Sequence, residues 1–270
     1  MNLTKSRTGI MMLAALVLIF LASAALAPAF ADNLTVRGQT AVLCTTASVS
    51  SGPASTGCTS TGPNGTITSS STGNLATGIF GTSSLVNASG DGGGIGQSDA
   101  EVTYDFAVSG VSNGTADFDI STNGLLSLTQ GPDDEGSSTA EFENIGGVSM
   151  MINGAPTPLA TPLASGLSNI LVTTNVSGGT TQLSFILSVV ADCSGEEACV
   201  STADFLDPTT ITGATVYDSS GNLVTDATLV SDSGYNPNAG TTVPTPEPSS
   251  LGLLGLGLIG FVGLRRRATV

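Results

Sequence analysis

An all-β fold, a single jelly-roll-like β-sandwich, is what this sequence predicts, and three observations predict it. Apolar residues alternate with polar ones at period two over short stretches. Clusters of Gly, Ser, Asn and Asp punctuate the chain between those stretches. Helix-favouring Lys, Glu, Gln and Arg are scarce, and only 10% of the 270 residues are charged.

The elements follow in order. A first strand is expected over 34–43 and a second over 75–80. Within Glu101 to Val108, the residues Val102, Tyr104, Phe106 and Val108 would share one buried face. Thr115 to Ile120 repeats the pattern with Ala116, Phe118 and Ile120 inward. Further strands are expected over 124–129, 139–143, 148–152, 169–176 and 181–191. Val216-Tyr217-Asp218 and Leu223-Val224-Thr225 flank Ser219-Ser220-Gly221-Asn222, a hairpin turn. Ten or so short strands of this kind close as a sandwich, and residues 32–242 suffice for one large domain.

Residues 45–72 stand apart, with Ser or Thr at 16 of 28 positions and almost no large apolar side chain. So little apolar surface does not offset the entropy of ordering, which predicts a long exposed loop. The hydroxyl density makes it equally a candidate for O-linked sugar or a plain solvated loop. The sequons at Asn33, Asn64, Asn87, Asn113 and Asn175 are what an Asn/Ser/Thr-rich chain produces by chance.

Charge and composition exclude several functions. The chain has no His, which removes Ser-His-Asp and Cys-His nucleophiles and His-ligated zinc or haem. Five of the six basic residues lie at the two ends, leaving Arg37 alone against all 21 acids. A nucleic-acid partner needs the opposite sign.

The two ends are addresses. Lys5 and Arg7, an apolar run from Ile10 to Leu21, and Ala29-Phe30-Ala31 fit a secretory signal peptide over residues 1–31. Ala29 and Ala31 are the small residues that a signal peptidase reads, so the mature chain is expected to begin at Asp32. An uncleaved anchor is the alternative, but twelve apolar residues are short for a span. At the other end, residues 243–267 hold Pro246-Glu247-Pro248, an apolar run from Leu251 to Leu264, and Arg265-Arg266-Arg267. The prolines favour a stiff extended spacer. A short transmembrane helix is expected over 249–264, with the arginines as a cytoplasmic stop. An ordinary unprocessed anchor is the plain reading of that end.

A triplet Pro246-Glu247-Pro248, a short apolar segment and a terminal arginine cluster, in this order, resemble the PEP-CTERM protein-sorting signal. The resemblance covers about the last 27 residues. It implies recognition by an exosortase, a membrane-embedded transpeptidase-like enzyme of Gram-negative bacteria. Pro246, Glu247 and Pro248 would be the recognition triplet, and Arg265, Arg266 and Arg267 the stop. The chain would pass the inner membrane through the Sec machinery, be anchored transiently, and finish at the cell surface or outside the cell. Members of this family accompany exopolysaccharide, which implies a matrix or biofilm setting. The stretch from Ala203 to Tyr235 resembles, loosely, the final strands of many such ectodomains.

Few residues remain for chemistry. Four cysteines, Cys44, Cys58, Cys193 and Cys199, are an even count in an exported chain and predict disulfides. Three connectivities are possible, and the pairs 44–58 and 193–199 close the shortest loops. A zinc site from all four would need tighter spacing. Carboxylates cluster at Asp117 and Asp119, at Asp133-Asp134-Glu135 and at Glu196-Glu197, and the stretch Asp91 to Asp99 resembles a calcium-binding glycine repeat with Asp99 one residue late. Solvated surface is the plainer reading of each, so no metal or other cofactor is expected, with calcium as the alternative. Without Trp, and with only Tyr104, Tyr217 and Tyr235 to stack on sugar rings, the residues argue against glycoside hydrolysis. The expectation is a non-enzymatic surface or matrix protein, the alternative a carbohydrate- or calcium-binding module.

Overall fold

A computed structural model describes residues 31–40, 43–89, 93–195, 197–238 and 241–242. The described residues contain strands and turns and no helix. In chain order the strands are β1 (Asn33–Gln39), β2 (Leu43–Val49), β3 (Pro53–Gly62), β4 (Gly65–Asn74), β5 (Ile79–Ala88), β6 (Gly93–Val108), β7 (Asn113–Thr129), β8 (Glu135–Asn144) and β9 (Ser149–Ile152). They continue as β10 (Ala155–Thr157), β11 (Ala160–Pro162), β12 (Gly166–Ser177), β13 (Thr180–Ser194), β14 (Cys199–Asp218), β15 (Leu229–Ser231), β16 (Tyr235–Asn236) and β17 (Thr241–Thr242).

The main path of pairing runs β2-β1-β6-β13-β12-β7-β14-β5-β4-β3, antiparallel throughout. It is one sheet folded back on itself until it nearly closes into a barrel. The all-β expectation is met, but a continuous sheet replaces the two separate layers of a jelly roll. The fold-over happens at the β12–β13 hairpin, where only Ser177 and Thr180 pair. Beyond that tip the strands part. β13 continues against β6 and β8, and β12 against β7 and β9.

Alternation along these strands aims one set of side chains into the fold. In β6, Val102, Tyr104 and Phe106 point inward as expected, and so do Ala116, Phe118 and Ile120 of β7. Their rings form a connected chain. Phe142 stacks on Phe185 at 5.1 Å, Phe185 meets the edge of Phe80 at 5.6 Å, and Phe80 meets Tyr104 at 6.2 Å. Tyr104 lies against Tyr235 and Phe106, and Phe106 against Phe118. Such ring pairs add about 0.5–1.5 kcal/mol each beyond area burial.

Three local expectations are corrected. Residues 75–78 form a turn rather than a strand, and β5 starts only at Ile79. The turn at 219–222 is present, with Asp218 and Asn222 closing it. Its second arm, however, is a single bridge from Tyr217 to Leu223. The largest correction concerns 45–72, which is not a loop. It holds most of β2 and all of β3 and the bulk of β4, with β3 and β4 paired from Pro53↔Asn74 to Gly62↔Gly65.

The physical reason is that its buried face is closed by hydroxyl bonds rather than by apolar area. Ser69 Oγ donates to the Gln39 carbonyl at 2.8 Å and bonds Ser84 Oγ at 3.0 Å. Ser71 Oγ donates to the Asp99 carbonyl at 2.7 Å. Satisfied hydroxyls bury without the penalty of an orphaned polar group. Small residues on the facing strand let the layers approach: a side chain on Gly94 of β6 would collide with Ile67, and one on Gly96 would crowd Ser69 and Ser84. The same strand takes in most of the Asp91 to Asp99 stretch compared with a glycine repeat. From Gly93 onward the stretch is strand, Asp91 lies outside the described residues, and Asp99 accepts a bond from Ser188 Oγ at 2.6 Å.

Candidate functional site

The folded-over sheet presents two outer faces of different chemistry. On the strands β6, β13 and β8 the outward positions carry acids. Glu101, Ile186 and Glu143 form one paired row, and Asp99, Ser188 and Glu141 the next. Asp105, Asp192 and Glu135 extend the charge. Arg37 of β1 donates to Glu101 at 2.9 Å with both side chains well exposed. An exposed pair of this kind stabilises by about 1 kcal/mol or less and leaves the face strongly negative.

The outer side of β3, β4, β5, β14 and the distal half of β7 is nearly without charge. Its paired rows read Thr61–Thr66–Asn87–Val200–Thr129, Thr59–Thr68–Leu85–Thr202–Ser127 and Gly57–Ser70–Ser83–Asp204–Leu125. Nine of these fifteen side chains are hydroxylic, and Asp204 alone is charged, its Oδ1 already accepting from the Leu206 amide at 3.0 Å. Strand geometry spaces the rows by about 6.8 Å and neighbours within a row by about 4.8 Å. Ser70 and Ser83 bond one another at 2.9 Å, whereas the hydroxyls of Thr59, Thr61, Thr66, Thr68 and Thr202 engage no partner among the described residues. The result is a grid of hydroxyl donors and acceptors, most of them unengaged, with threonine methyl groups between them.

Sequence reasoning missed this face because it scored Ser and Thr as loop formers. A usable signal was present: in 59–61 and 66–72, outward Thr or Ser alternates with small residues and a single Ile67, the period of a strand.

Other sequence-selected groups fall into structural roles. Tyr104 is fully buried and donates its hydroxyl to the Leu75 carbonyl at 2.7 Å. Tyr235 is buried as well and donates to the Ile211 carbonyl at 2.8 Å. Burial pushes the Tyr235 hydroxyl up to about 12, and burial with the charges of Tyr235 and Asp32 raises Tyr104 further. Of the three tyrosines considered as sugar platforms, therefore, only Tyr217 reaches the surface. For Tyr104 and Tyr235 the role is ruled out, because hydrogen-bonded Tyr packs in a core as readily as Phe.

The carboxylate clusters are largely self-satisfied. Asp134 is buried and ties two loops together, accepting from the Gly131 amide at 2.9 Å and the Glu197 amide at 3.0 Å. Glu196 lies outside the described residues. Asp117 accepts from Thr173 Oγ1 at 2.7 Å, and its neighbour Asp119 is raised by burial and by the charge of Asp117. Asp119 borders a shallow groove of about 330 Å³ with Met151, Asn169 and Thr212. Among the described residues no three His, Cys, Asp or Glu side chains are grouped to hold a metal ion.

Cys193 and Cys199 form a disulfide with Cα atoms 5.9 Å apart, buried against Ile67, Val86 and Ala88. Cys58 is also disulfide-bonded, and no cysteine among the described residues is free. The partner expected for it, Cys44, sits on β2 with its side chain outside the described set. β2 and β3 are the two ends of the sheet path. Of the processing residues, Ala31 is exposed at the surface. Ala29, Pro246, Glu247, Pro248, the 249–264 segment, Arg265, Arg266 and Arg267 lie outside the described residues. No described helix is long and apolar enough to cross a membrane.

Residues 244–267 match the family model of the PEP-CTERM protein-sorting motif. No curated protein and no solved structure matches the chain.

Proposed function

We propose that this chain is a non-enzymatic surface or matrix protein, sorted by an exosortase through its PEP-CTERM motif and docking neutral exopolysaccharide on its hydroxyl face. The motif at 244–267 carries the sorting part of the reading. Such a motif marks an exported protein whose sorting is linked to the membrane. Pro246-Glu247-Pro248 serve as the recognition triplet, the apolar segment as a transient anchor and the arginines as its stop. Sorting is tested by replacing Pro246, Glu247 and Pro248 with alanine. The variant should accumulate in the inner membrane with residues 265–267 intact. Wild-type protein that keeps those arginines at its final location would leave a plain anchor as the better account.

The polysaccharide part rests on the nearly uncharged grid of β3, β4, β5, β14 and β7. A polyanion is repelled by a chain with 21 acids and six basic residues. A neutral glycan meets matching hydroxyl donors and acceptors there and finds a single charge, Asp204, at the edge of the rows it would cover. Cosedimentation of the exported protein with an insoluble neutral glucan, against an anionic polyuronate, tests it. Thr59→Glu, Thr68→Glu and Thr202→Glu together should weaken glucan binding about 10-fold or more, equivalent to about 1.4 kcal/mol. Binding to the polyuronate alone, or binding unchanged by the triple variant, would remove this face from the function.

A further inference from the structure

The bond expected to be cut by the signal peptidase, Ala31–Asp32, abuts an anchored position in the fold. Ala31 is exposed, whereas Asp32 is 0% exposed. Each carboxylate oxygen of Asp32 receives a backbone amide: Asp105 of β6 donates to Oδ1 at 2.8 Å, and Ser233 donates to Oδ2 at 2.7 Å. Those donors lie 73 and 201 residues along the chain, so one side chain ties the start of the domain to its middle and its end. The next residue opens β1, an interior strand. It pairs with β6 from Asn33↔Thr103 and with β2 from Leu34↔Val49, and Leu34 and Val36 are fully buried beneath it.

A protease takes its substrate as an extended strand, with backbone groups on both sides of the scissile bond free to pair with the enzyme. Here Asn33 is already paired with β6, and from Leu34 onward the backbone is paired on both edges. Reaching it requires withdrawing the Asp32 carboxylate and stripping the head of β1 from both ladders. Only the locally opened population is then cleavable.

We propose that Asp32 is a latch that makes signal-peptide removal and closure of the sheet mutually exclusive, so that cleavage must come first. The proposal rests on the reading of Ala29 and Ala31 as the signal-peptidase site. Water adds across the Ala31–Asp32 amide, giving a carboxylate on Ala31 and an α-ammonium on Asp32. The new cation appears where it is useful. The carboxylates of Asp105 and Asp232 are both raised, first by burial and then by the charge of Asp32. Among the described residues the only cationic side chain, Arg37, is engaged with Glu101.

The test offers full-length precursor in detergent micelles to purified signal peptidase. One sample is diluted from denaturant directly into enzyme, and the other is first folded under oxidising conditions. The unfolded precursor should be cut after Ala31, and the folded one roughly 100-fold more slowly. Equal rates would overturn the latch. Failure to cut the unfolded precursor after Ala31 would instead overturn the cleavage-site reading, and the latch with it. Two variants separate the latch from general compactness. A Gly/Ser spacer between Ala31 and Asp32 keeps the staple and frees the bond, so the folded precursor should be cut at the unfolded rate. Asp32→Ala should raise the ratio of folded to unfolded cleavage rate, each measured on that variant, about 10-fold. A spacer variant that stays resistant when folded would refute the proposal.

Discussion

The two outer faces differ in charge, and the interiors behind them differ in kind. Behind the acidic strands β6, β13 and β8 lie Phe106, Phe185 and Phe142, a ring core held by apolar area and dispersion. Behind the hydroxyl strands β4 and β5 lie Ser69, Ser71 and Ser84, closed by hydrogen bonds at 2.7 to 3.0 Å. Aromatic rings keep sheets well apart, whereas serines and glycines let them approach. The comparison shows that a strand with almost no apolar content is still built into a core when its partner strand supplies the fitting small residues. Its outer face is then free to be uncharged.

The largest effect expected from this difference is on the aromatic side. Phe185→Ala removes a ring that touches both Phe80 and Phe142, and should lower unfolding free energy by about 3–5 kcal/mol. Denaturant unfolding of the exported protein measures it. A loss as small as a surface substitution would break the assignment of this cluster as the main core.

On the serine side the effects should be smaller and of either sign. Ser69→Ala leaves the Gln39 carbonyl and Ser84 without their partner and should destabilise by about 1–3 kcal/mol. Thr82 is the opposite case. Its hydroxyl is the one buried side-chain polar atom without a partner among the described residues, so Thr82→Val should be neutral or stabilising. Melting temperatures that fall equally for both would show that volume, not hydrogen bonding, organises this half.

The smallest effect should separate the faces by pH. Asp105 and Asp232 on the acidic side are raised from 3.8 chiefly by burial, with Asp32 adding repulsion, and a bond from Gln182 partly offsets the rise in Asp105. Asp119 is raised in the same sense. A raised carboxyl binds its proton more tightly in the folded chain. Its contribution to stability is therefore full below 3.8 and is lost as pH rises through the higher folded value. Asp218, lowered by bonds from Asn222, acts the other way, with stability present above 3.8 and lost as pH falls through its folded value. Thermal stability should therefore rise modestly on mild acidification from neutral pH. Asp105→Asn with Asp232→Asn should flatten that rise. A profile unchanged by the pair would place the titration elsewhere.

Much of the aromatic half was legible in advance. Val102, Tyr104 and Phe106, and Ala116, Phe118 and Ile120, sit on the inward faces that period two assigned to them. Period two also located β12 and most of β13, because an apolar face must find cover whatever covers it. Less of the candidate site was legible. Thr59, Thr68 and Thr202 are far apart in sequence, and nothing local to any of them states that the strands carrying them lie edge to edge. The same holds for Asp134, whose partners lie on two loops, and for Asp32, whose two donors are 73 and 201 residues away.

By itself, then, the sequence determined what depends on composition and on runs of neighbours: strands rather than helices, an acidic balance, the absence of His chemistry, and the sorting motif at 244–267. Only the tertiary structure decided whether a Ser/Thr-rich segment folds, which tyrosines are surface and which are core, and how the outer faces divide the charge. The reason is physical. Apolar periodicity reports a preference that each segment holds alone, whereas a buried hydroxyl is stable only when a particular distant carbonyl or hydroxyl stands within about 3 Å of it. That condition is written in no single strand. Gln39, Ser69 and Ser84 satisfy it together once β4 and β5 lie against β6.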